Sequence, residues 1–316
     1  MNKIILILLS GLIIIGCSST NKEELSAETW FQHGRLLAGY ERHDEAILAY
    51  NKAIEIKPDY ALPYSDRGRV KYLKGNIAGA IDDLNKAIEL KPDYAEAYYC
   101  RGTVKANQND FGGAIKDFTK TIEIQPDYAA AYYNRGSANV KQNNYDSALS
   151  DYIKFIELKP DYGMAYYNRG SIYQSKNEMD KALLDYNKAI ELDPELADAY
   201  GNRGAIYCAM KKPDRALADL NKAIKLNPNE AKYYNNRGLA YQQENKIDIA
   251  IANLTKALEL NPNDADFYHN RGRAYQLNDK IDQAIADWEQ SIKLDHSQEK
   301  ELRPFIEKAR QAKENK

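Results

Sequence analysis

The prolines of this chain recur at a fixed step of 34 residues. They are Pro58, Pro92, Pro126, Pro160, Pro194, Pro228 and Pro262. Arg-Gly pairs keep the same step and begin at residues 67, 101, 135, 169, 203, 237 and 271. A period this strict indicates a repeat array, in which each unit buries its apolar face by stacking on its neighbours. The period therefore constrains the fold more tightly than any local signal.

Counting back from Pro58 places the start of the first unit at Ala27. Eight units then follow without insertion, at residues 27–60, 61–94, 95–128, 129–162, 163–196, 197–230, 231–264 and 265–298. Each unit has two segments with apolar residues at helical spacing, separated by a turn such as Gln142–Asn144. At least three such units are needed for stability, so eight suffice.

The unit resembles the tetratricopeptide repeat (TPR) in length and in the residue types at its fixed positions. The fifth unit matches the TPR pattern at positions 4, 8, 11, 20, 24, 27 and 32 with Tyr166, Gly170, Tyr173, Ala182, Tyr186, Ala189 and Pro194. The resemblance covers residues 27–298. It implies an all-α TPR solenoid, a right-handed superhelix of eight helix-turn-helix repeats in which the first helix, helix A, lines the concave side and helix B follows.

Residues 299–316 are predicted to form a capping helix and tail. Four apolar residues occupy positions 4, 7, 8 and 11 of a ninth helix A, without a helix B: Leu302, Phe305, Ile306 and Ala309. The outer face of this helix carries Glu307, Lys308, Arg310 and Lys313. We expect the cap to start near Arg303, because Pro304 is tolerated in the first turn of a helix.

Position 7 carries Arg in seven of the eight repeats, and position 23 carries Asp in six. The Asp residues are Asp83, Asp117, Asp151, Asp185, Asp219 and Asp287. The first repeat has His33 and Ala49 at these positions, and this joint absence predicts a structural ion pair between helices A and B or between neighbouring repeats. In the seventh repeat Arg237 faces Asn253, which can still accept a hydrogen bond.

The amino terminus has the form of a secretory signal. Residues 1–16 contain one Lys and then an apolar run shorter than a membrane-spanning helix requires. The run ends in Ile14-Ile15-Gly16-Cys17, which resembles the lipobox of bacterial lipoproteins and implies cleavage before Cys17 and its acylation, for example with palmitate. Residues 17–26 would be the acylated Cys and tether. The alternative is an uncleaved anchor helix. Ser18 favours the outer membrane or cell surface, because it stands where Asp would resemble an inner-membrane retention signal of bacterial lipoproteins.

The charge and cysteine content limit which partners and which covalent links are expected. The formal net charge is −2, so no strong field favours nucleic acid or anionic lipid. Three cysteines are too few for a disulfide framework. Cys100 and Cys208 are three repeats apart, beyond the reach of a disulfide, and are predicted to be free thiols.

Catalysis has little support in the sequence. The four histidines, His33, His43, His269 and His296, lack metal-ligand spacing. Adjacent carboxylates such as Asp82 and Asp83 point apart on a helix, and no Gly-rich phosphate loop occurs. No catalytic residue, metal site or cofactor is predicted, and the chain is not expected to be an enzyme.

In TPR proteins the concave surface comes mostly from helix A positions 2, 5, 6, 9, 12 and 13. Position 5 supplies an aromatic ladder of Tyr99, Tyr133 and Tyr167. Position 6 supplies an amide ladder of Asn134, Asn168, Asn202, Asn236 and Asn270. Tyr offers rigid contact area, and Asn can both donate to and accept from the backbone of an extended peptide. The Asn set resembles the asparagine ladder of peptide-binding TPR superhelices. Alternatively, Asn at position 6 only solvates the surface.

These observations predict a non-enzymatic protein-protein interaction scaffold or adaptor, anchored by lipid in the bacterial envelope and binding an extended partner segment in its concave groove. It resembles TPR lipoproteins that serve envelope assembly machines. A chaperone C-terminus is not an expected partner, because Lys232 lacks the other residues of the carboxylate clamp. The alternatives are a self-associating structural envelope protein and, less favoured, an enzyme hidden in the groove.

Overall fold

Each 34-residue unit forms one helix of 13 residues and one of 14 residues, joined by a tight turn. The computed structural model describes residues 25–314, together with residues 8–9 and 12–13, and side chains from residue 25 to residue 311. The A helices are α1 (Ala27–Gly39), α3 (Ala61–Leu73), α5 (Ala95–Asn107), α7 (Ala129–Lys141), α9 (Gly163–Ser175), α11 (Ala197–Ala209), α13 (Ala231–Gln243) and α15 (Ala265–Leu277). The B helices are α2 (His43–Ile56), α4 (Ile77–Leu90), α6 (Phe111–Ile124), α8 (Tyr145–Leu158), α10 (Met179–Leu192), α12 (Pro213–Leu226), α14 (Ile247–Leu260) and α16 (Ile281–Leu294).

The all-α repeat fold that the period predicts is confirmed. A 3₁₀ helix at His296–Gln298 and a last helix, α17 (Glu299–Glu314), follow the eighth repeat. The chain divides into two units, residues 1–108 and 109–316, and each is described by itself. Within each unit, helix B of one repeat packs against helix A of the same repeat and against helix A of the next.

The turn between helices A and B passes through a left-handed backbone conformation at position 15 of every repeat. The residues with positive φ are Glu41, Gly75, Asn109, Asn143, Asn177, Lys211, Asn245 and Asp279. Gly and Asn adopt this conformation at the lowest cost, and they fill five of the eight positions. The Gly and Asn content of the turns therefore follows from backbone geometry.

Helices A and B meet through small residues at positions 8 and 20. A Cβ atom added to Gly170 would lie 3.0 Å from Cε1 of Tyr186 and 3.1 Å from Cβ of Asp185. Ala182, on the facing helix, is fully buried. The aromatic residue at position 24, here Tyr186, fills the space between the helices and is also fully buried. A side chain larger than hydrogen at Gly170 would therefore force this ring to shift by a few tenths of an ångström.

The predicted ion pairs join helix A to helix B of the same repeat. Five arginines bind their aspartates with shortest N–O distances of 2.6–2.7 Å, in the pairs Arg67–Asp83, Arg135–Asp151, Arg169–Asp185, Arg203–Asp219 and Arg271–Asp287. The aspartates are buried, and the side chain of Arg169 is 19% exposed. The hydrogen bonds that Arg169 donates to the Asp185 carboxylate raise the pKa of Arg169. In the seventh repeat, Arg237 Nε donates to Asn253 Oδ1 at 2.7 Å.

Six of the seven arginines at position 7, all except Arg169, also reach back to helix B of the preceding repeat, which sequence reasoning missed. Their Nη1 atoms donate to the side-chain oxygen at position 25, over 2.5–3.3 Å, in the pairs Arg67–Asn51, Arg101–Asn85, Arg135–Thr119, Arg203–Asn187, Arg237–Asn221 and Arg271–Thr255. The guanidinium of Arg135 additionally lies 5.7 Å from the ring centre of Tyr132, at position 4. One Arg therefore connects three helices and stacks on an aromatic ring.

Tyr at position 4 ties its repeat to the preceding one. Its hydroxyl donates to the carbonyl oxygen of the proline at position 32 over 3.0–3.2 Å, in the pairs Tyr64–Pro58, Tyr132–Pro126, Tyr166–Pro160 and Tyr234–Pro228. Because proline cannot donate from its own nitrogen, it ends helix B while its carbonyl remains available as an acceptor.

The prediction that the cap starts near Arg303 was wrong, because α17 begins at Glu299. Pro304 lies inside the helix and removes only one backbone hydrogen bond. Leu302 is buried against α16, and Arg303 Nε donates to Glu299 Oε1 at 2.9 Å, so contacts on the amino-terminal side of the proline stabilise the earlier start. Ile306 and Ala309 are buried as expected for a cap, but Phe305 is 46% exposed.

Most of the predicted signal, including Cys17, lies outside the described residues. Leu8–Leu9 and Leu12–Ile13 form a two-stranded antiparallel pairing, with Leu8 opposite Ile13. Among the described residues, no helix is long and apolar enough to cross a membrane. The lipoprotein signal and tether stay predictions.

Removing one ion-pair partner tests the contribution of this network. Arg169 gives the clearest test, because position 25 of the preceding repeat is Ile153, whose side chain cannot accept a hydrogen bond. Asp185 accepts the hydrogen bonds of the Arg169 guanidinium. Asp185→Ala is expected to lower the free energy of unfolding by about 3–5 kcal/mol, since it leaves a part-buried guanidinium without its carboxylate. Urea unfolding followed by circular dichroism measures the change.

The matched control is Asp185→Asn, which keeps an acceptor for Arg169. The seventh repeat already uses the Arg–Asn combination, in Arg237 and Asn253. The Asn variant is expected to lose less than half as much stability as the Ala variant. An Asp185→Ala protein as stable as the wild type would show that these pairs are solvated and contribute little.

Candidate groove-face site

The candidate site lies on helices α7, α9, α11, α13 and α15 of the second unit. We define the groove face as the helix A positions that the TPR resemblance assigns to the concave surface. Each helix presents its position 5 and position 6 residues side by side, and the 34-residue period brings the same positions of the next helix alongside. The ladder residues of this unit are all half-buried, from Tyr133 and Asn134 to Asn270.

The aromatic and amide ladders are joined to each other. Asn168 Nδ2, at position 6 of the fifth repeat, donates to Tyr133 Oη, at position 5 of the fourth repeat, at 3.0 Å. The ring of Tyr133 packs edge-on against Tyr152 and Tyr162, with ring centres 5.7 and 5.5 Å apart. Tyr133 is therefore an inter-repeat contact as well as a groove residue.

Asn202 repeats this arrangement one repeat further along. Its Nδ2 atom lies 3.5 Å from Tyr167 Oη and 3.3 Å from Tyr186 Oη, so its two amide hydrogens serve two hydroxyl groups. Tyr186 Oη in turn donates to Gln174 Oε1 at 2.7 Å. Burial raises the pKa of Tyr186 to about 12, so this hydroxyl stays protonated and can donate and accept together.

The seventh and eighth repeats build the ladder from amides alone. Asn270 Nδ2 donates to Asn235 Oδ1 at 2.9 Å, and Asn235 Nδ2 donates to Asn236 Oδ1 at 3.3 Å. Asn235 occupies position 5, where the fourth and fifth repeats have Tyr. Sequence reasoning missed Asn235, although its position was the signal that could have found it.

The change from Tyr to amide coincides with Gly201, at position 5 of the sixth repeat. A Cβ atom at Gly201 would lie 2.3 Å from Cε1 of Tyr233, so the Tyr233 ring occupies the place of a position 5 side chain. Tyr233 belongs to position 3 of the next repeat and donates its hydroxyl to Asp198. A buried ring from another position thus fills the space of the missing position 5 side chain.

These bonds fix which amide atoms remain for a ligand. Asn168, Asn202 and Asn270 use their Nδ2 atoms, and their Oδ1 atoms accept no hydrogen bond from the described residues. Asn236 is reversed, because its Oδ1 accepts from Asn235 while its Nδ2 donates to no described residue. The face therefore presents acceptors at three rungs and a donor at one, which is the complement that a peptide backbone needs.

The remaining predicted residues have other settings. Tyr99 lies on α5 in the first unit and packs against the cluster of Leu84, Cys100 and Val104, so the structure does not describe it together with the rest of the ladder. Asn134 is half-buried on α7.

Cys100 and Cys208 are buried free thiols, as predicted. Burial raises the pKa of Cys100 to about 12 and that of Cys208 to about 11, so neither is a reactive thiolate at neutral pH. Across the part of the chain that the structure describes, no group of three His, Cys, Asp or Glu residues could hold a metal ion.

Family models of the tetratricopeptide repeat match this chain in succession. The matches cover residues 41–75, 68–109 and 105–143, then 129–162, then 164–196, 197–230 and 231–264, and finally 253–286. Together they span more than half of the 316 residues. This chain is a TPR protein. No curated protein sequence matches it.

Solved TPR structures agree with this assignment. YrrB, described as a TPR protein with an unusual peptide-binding site, is 27% identical with a TM-score of 0.54, over 62% of this chain and 98% of YrrB. The Cut9–Hcn1 hetero-tetramer of the APC/C matches at 19% identity and TM-score 0.62, over 92% of this chain and 57% of that one. A TPR protein from Parabacteroides merdae matches at 18% identity and a TM-score of 0.54, over 78% of this chain and 98% of that one. The last two show the fold alone. The fold and YrrB support a protein-protein interaction scaffold.

The coupling between the two ladders can be measured in a double-mutant cycle. Tyr133→Phe keeps the ring packing but removes the hydroxyl that accepts from Asn168, and Asn168→Ala removes the donor. We expect a coupling free energy of about 0.5–1.5 kcal/mol between the two substitutions, the usual net contribution of one hydrogen bond. Urea unfolding of the four proteins gives the value.

The control cycle pairs Tyr133→Phe with Asn236→Ala, since Asn236 has no contact with Tyr133. That cycle is expected to be additive within about 0.5 kcal/mol. Additive behaviour in the Tyr133–Asn168 cycle as well would mean that the bond contributes nothing in solution.

Proposed function

We propose that this TPR protein is a lipid-anchored adaptor of the bacterial envelope that binds an extended segment of a partner protein along its groove face. The partner would serve an envelope assembly machine. The proposal gives the chain no catalytic role and no cofactor.

One observation carries the binding proposal. The acceptor oxygens of Asn168, Asn202 and Asn270 are left for a ligand, because the amide nitrogens are committed to neighbouring repeats. Held in this way, the amides need not be ordered when the ligand binds, which lowers the entropic cost of association. Backbone N–H groups of an extended segment are the donors that fit, irrespective of its sequence. The peptide-binding site stated for YrrB supports the same class of ligand.

Crosslinking in native envelopes tests the binding proposal. We expect a specific partner to be captured by the wild-type protein and lost when Asn168, Asn202 and Asn236 are all changed to Ala. Mass spectrometry of the crosslinked products identifies the partner and measures its recovery.

The matched control is the double variant Tyr133→Phe and Tyr167→Phe. It removes the hydroxyl partners of Asn168 and Asn202 but leaves the Asn side chains in place. Capture by this control, together with unchanged helix content, would show that the Asn groups bind the ligand directly. If the triple Ala variant still captures the same partner, the ladder is an ordinary solvated surface and the binding proposal is wrong.

Self-association is the competing function. Sedimentation velocity at rising protein concentration distinguishes an adaptor from a self-associating structural protein. The sedimentation coefficient of an adaptor stays constant, whereas that of a protein that assembles through repeat edges increases.

The anchor is proposed from the residues around Cys17. An apolar run followed by Gly16-Cys17 fits cleavage and acylation, and two or more acyl chains anchor a protein stably where one binds only marginally. Because the residue after Cys17 is Ser18, we place the protein at the outer membrane or cell surface.

Labelled palmitate tests the anchor in bacterial cells. The wild-type protein is expected to incorporate the label, and Cys17→Ser is expected to lose it, because the acceptor sulfur is gone. The controls Cys100→Ser and Cys208→Ser remove the other two thiols and should keep the label. Label that persists in Cys17→Ser, or that is absent from the wild type, would rule out acylation at this residue.

A further inference from the structure

A cavity of about 260 Å³ lies where the eighth repeat meets α17. We name it the cap pocket. It is lined by Arg273 and Gln276 of α15, Trp288 of α16, and Glu301, Leu302 and Phe305 of α17. His269, also in the lining, directly precedes Asn270, the last rung of the amide ladder. The cap pocket therefore adjoins one end of the groove face.

The floor of the cap pocket contains aromatic surface that the chain leaves uncovered. Leu302 and Ile306 are 1% and 5% exposed, whereas Phe305 on the same helix is 46% exposed. Its ring centre lies 6.1 Å from that of the buried Trp288, at an interplanar angle of 43°. Phe305 stands at position 7, where most repeats carry an Arg that pairs with helix B. Within the described residues no helix B follows α17, so nothing covers this ring.

The rim of the cap pocket is polar and carries both signs of charge. Arg273 and Glu301 are exposed, and neither forms a salt bridge with a described residue. Gln276 also makes no side-chain hydrogen bond to the described residues. An apolar floor inside a polar rim is the anatomy of a site that takes an anchoring side chain from a partner.

We propose that the cap pocket binds one aromatic side chain of the segment held on the groove face, a proposal that rests on the proposed function. A volume of about 260 Å³ is several times the roughly 30 Å³ occupied by a water molecule, so a single ring fits. The exposed part of the Phe305 ring, beside the buried Trp288, offers aromatic contact, and Arg273 can stack on the bound ring. His269 and Asn270 are consecutive, so a backbone bonded at the last rung can direct its next side chain into the cap pocket.

Trp288 serves as the reporter for a direct test. The chain has two tryptophans, Trp30 and Trp288, and Trp30→Phe leaves Trp288 alone. The full chain with this substitution is titrated with N-acetylphenylalaninamide and, separately, with N-acetylglycinamide. We expect a saturable change in Trp288 fluorescence with the phenylalanine probe and no saturable change with the glycine probe.

Phe305→Ala in the same background is expected to weaken binding of the phenylalanine probe at least tenfold, because it removes an aromatic contact that is exposed before binding. The matched control is Leu277→Ala on α15, which is 60% exposed and does not line the cap pocket. The control should bind the probe as the parent does. Circular dichroism checks that all variants keep their helix content.

The proposal would be overturned by the absence of a saturable signal, by an equal response to the glycine probe, or by unchanged affinity in Phe305→Ala. A concentration-dependent association that Phe305→Ala abolishes would also overturn it, since the occupant would then be a second copy of the chain. Probe binding is also measured with Asn168, Asn202 and Asn236 changed to Ala. If this variant still binds the phenylalanine probe, the aromatic site does not depend on the amide ladder. A failure of the ladder to hold a partner would then not count against the cap pocket.

Discussion

The array depends on one side chain in seven of its eight repeats, the Arg at position 7. Because repeats contact only their neighbours, stability is set by the contacts within a repeat and between adjacent ones. Arg135 supplies both, since it binds Asp151 within its repeat and Thr119 in the preceding one. Its planar fork of five donors suits this double role, whereas a Lys offers only a point charge. The ion pair predicted from sequence is thus half of a wider network.

The groove face adds a second link between neighbours, and it uses the residues proposed to bind a ligand. Asn168 and Asn202 hold adjacent repeats together through nitrogen and leave oxygen for a partner. Under the proposed function, recognition and stacking are therefore coupled in one amide group. A ligand that bonds to several of these oxygens would also connect repeats that are otherwise joined only pairwise, so binding should stabilise the stack as a whole.

How much the sequence reveals depends on whether a residue follows the repeat. The helices, the tight approach at Gly170 and the pairing of Arg169 with Asp185 were predictable, because each recurs at the 34-residue step. The start of α17 and the exposure of Phe305 were not, because Pro304 and Phe305 belong to a partial unit whose missing helix B changes the packing. The bond from Asn168 to Tyr133 was also missed, since position 5 and position 6 were each read as a separate ladder.

Under the proposed function, departures from the repeat consequently carry most of the information about binding. Gly201 opens a gap that Tyr233 fills from the next repeat, and Asn235 replaces a tyrosine where the ladder becomes all amide. Phe305 replaces the arginine that would otherwise be paired and half-buried. These three changes lie between the sixth repeat and the cap, on the groove face or at its end. A stack of identical units would bind a uniform ligand in any register, because each rung would offer the same atoms. Local differences among the rungs, ending in an aromatic pocket, can set one register for the bound segment.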